Sequence, residues 1–350
     1  MLTIKMLPAL GGDCIVIKIH RDNVHQIIIV DSGMGRQCNS LLLKEITEWN
    51  KAYGPVDLVI LTHIDNDHVS GLIRILRNKK IDYLSIKSIW FNYGAKLEEY
   101  FKSESAISIQ IPNNSLYTSY RQGRELLELL KERSIELIAP VMAGDHIVVD
   151  EYLHIDVLAP LVEDLNALLE DKKYESVIDN AELETSSEKN DYGDSVEKLN
   201  SRAFSENDIT NTNASSIACL LSYSGHKILL LGDAKVSTIE KRLRHLGASE
   251  VNPLKIDYCK ISHHGSKSNT SGSLISIINC DKYMLSTNWK SGKPSKECLS
   301  RIVMNTKGPV TFLCNYEPHR DIFNNDEYDK YKIELTNNGC REIIIDESNS

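Results

Sequence analysis

The sequence lacks the features of a membrane protein, a secreted protein or a disulfide-rich protein. No stretch of its 350 residues approaches the roughly 18 consecutive apolar residues of a transmembrane helix, and residues 1–6 do not have the layout of a signal peptide. The eight cysteines form no C-x-x-C pair and no short repeating spacing, which argues against a zinc ribbon and a disulfide framework. We therefore expect a soluble cytoplasmic protein with no membrane partner, in which several cysteines are small buried side chains.

The chain also lacks an excess of basic residues. It has 49 acidic and 40 basic side chains and a formal net charge of −9, so the global basic surface of unselective nucleic-acid binders is absent. Segment 161–210 holds fourteen acids and five bases, which accounts for the whole imbalance. We interpret this acidic segment, inserted between two strands, as a mobile loop or as an insertion with one helix over about 161–174. A lid, a docking segment for a partner and a brake on polyanion binding all remain open as its role.

Short runs rich in Ile and Val, bounded by Gly, Asp or Asn, alternate with segments that have apolar residues at helical spacing. We predict one α/β domain over 1–350, with a helical excursion at 92–140 and no internal repeat. Several strands end abruptly at polar residues, which is where α/β proteins place their chemistry. The predicted strands are 14–19, 26–30, 56–61, 86–91, 147–149, 153–158, 217–223, 227–231, 258–262, 283–286 and 310–314, and the predicted helices are 40–52, 115–133, 161–174 and 235–246.

The most informative segment follows the apolar run 56–61. Four potential metal ligands lie within six residues there, directly before a predicted helix, and their spacing suits two adjacent cations. They are His63, Asp65, Asp67 and His68. The alternative is a polar loop that caps the helix, with Asp67 as its N-cap. That alternative leaves two histidines and one acid unexplained, so we favour metal ligation.

Two further polar clusters also follow predicted strands. Asp233 ends one strand, and its two carboxylate oxygens could bridge two cations, although Gly-Asp alone is more often a turn. His263 and His264, before Gly265-Ser266, end another strand. One of these histidines could bind a cation while the other donates a proton to a leaving group. Because three polar clusters on separate strand ends converge more easily as one site than as three turns, we predict a single site.

Together these motifs resemble the metallo-β-lactamase fold. Within it they resemble the branch that contains the nuclease domain of ComEC-type competence proteins and the teichoic-acid phosphorylcholine esterases. The resemblance covers most of the chain. The matching segments are 11–17 (the opening strand), 28–33 (an "IDTG"-like turn), 63–68 (H-x-D-x-D-H), 213–216 with 231–234 (the hairpin that carries a bridging Asp) and 261–266 (H-H-G-S).

The resemblance implies a four-layer αβ/βα sandwich, with two mixed β-sheets flanked by helices, and a hydrolase of phosphate esters with two metal ions at one edge. Carried over by position, one cation is held by His63, Asp65 and His264 and the other by Asp67 and His68. Asp233 bridges them and Asp31 orients the ligand loop. Whether His263 or His264 is the ligand stays open, because a one-residue change of register exchanges them. Asp65 in place of a histidine tilts the preference from zinc towards manganese.

The chain departs from the branch at Lys293, where the branch has the histidine of a G-H-P sequence. An ammonium group does not bind a cation, so we expect the second cation to be held more weakly or lost. Lys293 could instead contact a substrate phosphate, and a solvated loop lysine is the alternative. Asn213 and Ser266 are further candidates for substrate binding.

The mechanism that we predict has a hydroxide bound to the cations attacking phosphorus, with Asp67 and Asp233 positioning it and His263 or His264 protonating the departing oxygen. Three functions compete. The first is a nuclease or phosphodiesterase acting on DNA, RNA or a nucleotide, and the second is a hydrolase of another small ester. The third is a non-catalytic protein that keeps the fold for binding, for which Lys293 in place of a ligand is the best argument. Because standalone proteins resembling this branch occur in multi-protein systems, including defence systems, it would act there with a protein partner.

Overall fold

The computed structural model describes residues 1–81, 83–104, 118–174, 190–290, 292–337 and 342–346. Within these residues most strands belong to two large sheets. The first sheet consists of β1 (Leu2–Met6), β2 (Ile15–Arg21), β3 (Val24–Val30), β4 (Val56–Ile60), β5 (Ile86–Trp90), β6 (Glu136–Ile138) and β17 (Ile343–Ile345). Its strand order is β17-β1-β2-β3-β4-β5-β6.

The second sheet has eight strands. They are β7 (His146–Val148), β8 (Leu153–Ala159), β9 (Ala218–Tyr223), β10 (His226–Leu230), β12 (Tyr258–Lys260), β14 (Lys282–Leu285), β15 (Val310–Cys314) and β16 (Ile333–Thr336). Their order is β16-β15-β14-β12-β10-β9-β8-β7. A separate parallel pair consists of β11 (Leu254–Lys255) and β13 (Ile278–Asn279).

The helices connect the strands and cover the sheets. They are α1 (Arg36–Ala52), α2 (Asn66–Arg77), α3 (Ala95–Glu104), α4 (Thr118–Glu132), α5 (Val162–Tyr174), α6 (Val196–Asn200), α7 (Asn211–Ala214), α8 (Val236–His245), α9 (Gly272–Ser276), α10 (Lys296–Asn305) and α11 (Asn325–Tyr331). None of these helices, within the described ranges, has the length and apolar character that crossing a bilayer requires.

Three apolar clusters define the layers. Ile15 and Ile17 of β2 pack between the sheets against residues such as Leu221 and Ile228 of the second sheet. The alternate residue Val16 faces outward and packs under α1 and α2, because successive side chains of a strand point to opposite faces. A third cluster joins the other sheet to α8 and α10. The predicted four-layer αβ/βα sandwich, with two mixed sheets flanked by helices, is confirmed.

Strand direction brings the polar segments to one edge. β3 and β4 run parallel in the first sheet, and β10, β12 and β14 run parallel in the second. Parallel strands have their carboxyl ends at the same edge of a sheet. The residues that follow β3, β4, β10 and β12 therefore share one edge of the sandwich.

The acidic segment 161–210 differs from its prediction. Its first helix, α5, matches the predicted 161–174, but residues 175–189, which include part of the predicted loop, lie outside the described residues. Residues 190–210 are mostly loop, but they also contain α6, a short helix that was not predicted. Val196 and Leu199 of α6 are buried, and Asp191 accepts hydrogen bonds from the first backbone amides of α10. Because the segment is highly charged, its sequence does not indicate that these two apolar residues are buried.

The 92–140 region contains α3, which was not predicted, α4, and then the short edge strand β6. Residues 105–117 of this region, including the predicted start of a helix at 115, lie outside the described residues. The predicted hairpin over 217–231 is present as the antiparallel pair β9 and β10. Residues 211–214, directly before it, form the single helical turn α7, which Thr210 caps through its side chain and which was not predicted.

Candidate metal centre

The segment that follows β4 forms one side of the site. Asp65 is the N-cap residue of α2, and Asp67 and His68 lie in the first turn of that helix. The predicted N-cap role of Asp67 in the alternative reading is therefore taken by Asp65, whose side chain makes no capping hydrogen bond. Both carboxylates are consequently available to the site, where the partial positive charge of the helix N-terminus favours them.

A glycine loop supports this segment from behind. A Cβ atom on Gly12 would lie 1.9 Å from the backbone oxygen of Asp67, so only glycine allows the loop before β2 to approach the ligand segment this closely. Ser286, after β14, donates a hydrogen bond of 2.7 Å to the Gly12 oxygen. The first and second sheets thus meet directly behind the polar cluster.

The first group of side chains surrounds His63. Its Nε2 atom lies 3.4 Å from Asp65 Oδ2 and 3.8 Å from Asp233 Oδ2. His263 Nε2 lies 3.5 Å from the same Asp233 oxygen. Four potential ligands, two imidazoles and two carboxylates, therefore face one another at this position.

The second group surrounds Asp67. Its Oδ2 atom lies 3.8 Å from His68 Nε2 and 3.6 Å from His264 Nε2. Asp233 Oδ2 lies 3.7 Å from His68 Nε2, so the Asp233 carboxylate stands between the two groups. Ligand atoms of Asp67, His68 and His264 all lie within 4.8 Å of one another, as do those of His63, His68 and Asp233.

The structure separates the two histidines that the sequence left open. His263 and His264 occupy a short 3-10 turn and both have positive φ angles, 48° and 56°. Because this backbone turns sharply, His263 points to Asp233 while His264 points to Asp67. The expected grouping of His264 with His63 and Asp65 is not the one observed, and His264 stands with Asp67 and His68 instead.

The buried ligand atoms that have no hydrogen-bond partner indicate whether cations fit these groups. The Nε2 atoms of His63, His68 and His264 and the Oδ1 atom of Asp233 are buried and have no hydrogen-bond partner among the described residues. Leaving a buried polar group unpaired costs about 1–3 kcal/mol each. Four such atoms converging in one place fit divalent cations, for which imidazole and carboxylate are the usual ligands.

The Nδ1 partners also favour cation binding. His68 Nδ1 lies 2.8 Å from Asp31 Oδ2, and His264 Nδ1 lies 3.0 Å from the Ser286 backbone oxygen. His263 Nδ1 lies 2.9 Å from Asn269 Oδ1. Because these oxygens accept hydrogen bonds, a neutral ring carries its proton on Nδ1, and its Nε2 lone pair would face a bound cation.

Charges within the cluster shift several pKa values. Burial would raise the pKa of Asp233, but His263 and His68 hold it well below its usual range. Burial would lower the pKa of His68, but Asp31 and Asp233 raise it well above its usual value. Burial lowers the pKa of His263 to about 4, so this ring is neutral near pH 7. The site thus keeps its carboxylates ionised at neutral pH.

Asp31 lies behind the ligands. It is fully buried with a φ of 56°, and it accepts hydrogen bonds from the Thr62 amide and hydroxyl at 2.8 and 2.9 Å. The Thr62 hydroxyl, having donated its proton to Asp31, accepts from His63 Nδ1 at 3.0 Å. Asp31 therefore contacts His68 directly and His63 through Thr62, and it does not face the open side of the site.

The three predicted substrate-binding residues occupy different places. The loop that carries Lys293 packs on the histidine turn, with Ser295 N donating to the Gly265 oxygen at 3.0 Å. Burial lowers the pKa of Lys293, while Asp233 and Asp67 oppose that shift. Asn213 Nδ2 lies 3.5 Å from His263 Nε2. Ser266 Oγ accepts from the Ser268 amide, so its hydroxyl caps a turn.

Sequence reasoning missed Asp13, Asn269 and Ser286. Asp13 is 2% exposed, and its Oδ2 lies 2.7 Å from Lys260 Nζ. Its position after Gly11-Gly12, directly before a strand, was the available signal. Asn269 and Ser286 are small polar residues in loops, and no sequence pattern distinguishes them from turn residues.

Part of the chain matches a model of a known protein superfamily. Residues 7–157 match the family model described as the metallo-beta-lactamase superfamily. This segment contains β2 to β7 and most of β8. It includes Asp31 and the whole 63–68 motif, and it supports the resemblance at the superfamily level. Curated protein sequences gave no match.

Among solved structures, the chain is similar to unliganded yeast PDE1, with 11% identity, a TM-score of 0.42 and coverage of 96% of this chain and 97% of that one. A diphosphatase from the PhnP family has 9% identity and a TM-score of 0.37, with 99% and 98% covered. A long-form RNase Z from yeast has 11% identity and a TM-score of 0.37, with 90% of this chain and 36% of that chain covered.

Proposed function

We propose that the chain is a metal-dependent hydrolase that cleaves phosphodiester bonds in a nucleic acid or a nucleotide. The observation that carries this proposal is the Asp233 carboxylate. One of its oxygens lies 3.5 to 3.8 Å from the Nε2 atoms of His63, His68 and His263. A carboxylate shared between two ligand groups is suited to two neighbouring cations, which is the arrangement used for in-line displacement at phosphorus.

Each of the two groups of side chains would hold one cation. His63, Asp65 and His263 would hold one, Asp67, His68 and His264 the other, and Asp233 would contact both. When bound, two Zn²⁺ or Mn²⁺ ions would lower the pKa of a shared water and neutralise charge on the phosphoryl oxygens. The sequence predicts a weak second position, because Lys293 stands where the branch has the histidine of G-H-P. His264 would supply a histidine at that position instead.

The protein side chains contribute orientation and charge. Asp67 and Asp233 have carboxylate oxygens on the inside of the site, where they can orient the attacking water. Neutral His263 is better suited to binding a cation than to donating a proton. Asp233, Asp67 and Asp65 favour the charged form of Lys293 electrostatically, against the effect of its burial. An ammonium there supplies a point charge for a non-bridging phosphate oxygen.

The test uses metal-free protein loaded with Mn²⁺ or Zn²⁺ and assayed on single-stranded DNA, duplex DNA, RNA and bis(p-nitrophenyl) phosphate. We expect two bound metal equivalents and hydrolysis that His68→Ala abolishes. His146→Ala, which changes a histidine at the far edge strand β7, should keep full activity. Lys293→Met should retain both metals but raise KM about tenfold, since a charged hydrogen bond contributes about 1.5–3 kcal/mol.

Two results would reject the proposal. Metal-loaded protein that hydrolyses none of these phosphodiesters would favour a binding partner without catalysis or a hydrolase of another ester. Activity that persists in His68→Ala would show that the described centre does not carry the reaction. A protein partner is also part of the proposal, and co-purification of the tagged chain from its native cells tests it.

A further inference from the structure

A buried ion pair lies directly behind the histidine turn. Lys260, the last residue of β12, contacts Asp13 Oδ2 at 2.7 Å, and the two side chains are 1% and 2% exposed. Lys260 also donates to the Ile261 backbone oxygen at 2.8 Å. A lysine and an aspartate removed from water are expensive to bury, so their place next to a metal centre calls for an explanation.

The free oxygen of this pair faces a ligand histidine. Asp13 Oδ1 lies 3.4 Å from His264 Nδ1 and, though buried, forms no hydrogen bond with another described residue. The Nδ1 proton is donated to the Ser286 carbonyl at 3.0 Å. The Asp13 charge therefore acts on the same ring nitrogen without competing for its proton, and Lys260 holds the carboxylate in that position.

The two cation positions consequently differ in what lies behind their histidines. At the Asp67 position both rings have a buried carboxylate near Nδ1, Asp31 at 2.8 Å from His68 and Asp13 at 3.4 Å from His264. At the other position the partners are neutral. His63 Nδ1 is near the Thr62 and Ser216 hydroxyls, and His263 Nδ1 is near the Asn269 amide oxygen.

We propose that Asp13, fixed by Lys260, is a positioning residue for His264, and that it makes the Asp67–His68–His264 position the tighter of two cation sites. A carboxylate behind a ligand imidazole orients the ring and increases its basicity. Lys260 offsets part of the added charge, and its contribution is to keep Asp13 out of the cation site itself. The position that the sequence predicts to be weak therefore fills first.

This inference rests on the metal centre of the proposed function but not on its reaction, and binding alone tests it. Metal-free protein is titrated with Mn²⁺ by calorimetry and by electron paramagnetic resonance. We expect two binding steps in the wild type. His264→Ala should remove the tighter step and His263→Ala the weaker one, which assigns each step to its position.

The decisive variant is Asp13→Asn with Lys260→Met, which replaces the buried pair by neutral groups of similar size. We expect the tighter step to weaken about 10- to 100-fold, the usual effect of removing a partner behind a metal ligand, with the weaker step unchanged. The matched control is Lys296→Met with Glu327→Gln, a buried pair at 2.8 Å in which Lys296 and Glu327 are 2% and 7% exposed. It should leave both steps unchanged.

Equal weakening of both steps, or no change in the tighter one, would overturn the proposal. If the double variant does not fold, Asp13→Asn alone is titrated, because the asparagine oxygen can still accept from Lys260 while the negative charge is removed. An unchanged tighter step in this variant would refute the proposed positioning. Ordered binding of two cations without any hydrolysis would leave this inference standing and reject the proposed function.

Discussion

Gly12→Ala is the sharpest test of how the site is built, because one added methyl group acts on the ligand segment alone. The new Cβ would lie 1.9 Å from the Asp67 backbone oxygen and 2.8 Å from its carbonyl carbon. These atoms must separate by about 1 Å to reach a tolerable contact. The loop before β2 and the first turn of α2 are both held by packing, so the shift displaces Asp67 and His68.

The expected effects are large on function and moderate on stability. A displacement of about 1 Å in a positioned group can lower the rate about 100-fold, and overpacking destabilises by about 1–3 kcal/mol. We expect losses of these sizes in bis(p-nitrophenyl) phosphate hydrolysis and in urea unfolding. Mn²⁺ affinity should also fall, which reports on the site without depending on the reaction.

The neighbouring residue supplies the control. A Cβ on Gly11 meets no atom within 4 Å, so Gly11→Ala should keep metal affinity and activity and change the free energy of unfolding by less than about 1 kcal/mol. If Gly12→Ala behaves like Gly11→Ala, the close contact between the glycine loop and Asp67 does not position the ligands.

Three further outcomes follow from buried charge. Glu327→Ala leaves the Lys296 ammonium, 2% exposed, without its carboxylate, so urea unfolding should show a loss of about 3–5 kcal/mol, and a loss below about 1 kcal/mol would contradict the buried pair. In metal-free protein, burial lowers the pKa of His263 from 6.5 to about 4, so the unfolded chain binds a proton in that range that the native state does not. The free energy of unfolding should therefore fall as pH falls through this window, by up to about 3 kcal/mol, and His263→Gln should flatten the dependence. Mn²⁺ at about 100 times its Kd should raise the free energy of unfolding by about 2.7 kcal/mol, and a thermal shift that survives in Asp233→Ala would place the binding elsewhere.

The sequence predicts the central strands and the ligand segments because strong local patterns mark them. The Ile- and Val-rich runs that became β2, β3, β4 and β10 are buried on both faces, and such strands read as continuous apolar segments. His63, Asp65, Asp67 and His68 lie within six residues, so their convergence needs no knowledge of the fold. The strands β1 and β17, which pair at one side of the first sheet, were not predicted, because their pairing is decided by contacts between the two ends of the chain.

The supporting residues could not be predicted for a different reason. Asp13 and Lys260 are about 250 residues apart and meet only because the two sheets pack face to face. Neither has a neighbour in sequence that marks it as buried, and Lys260 alone suggests a solvated strand end. The direction in which His263 and His264 point depends on their two positive φ angles. Histidine at a position gives no sequence signal of a positive φ angle.

The net charge of −9 does not argue against a polyanionic substrate, because several acids in the described parts of the acidic segment, 161–174 and 190–210, make contacts within the chain. Asp191 caps α10 through two backbone amides. Asp194 pairs with Lys198 and Arg202, and Glu197 pairs with Lys330. Screening by salt further shortens the reach of exposed charges to about 8–10 Å. If the chain binds a phosphodiester as proposed, the field at the site would be set mainly by the cations and Lys293, so the formal charge of the whole chain is a poor guide to its substrate.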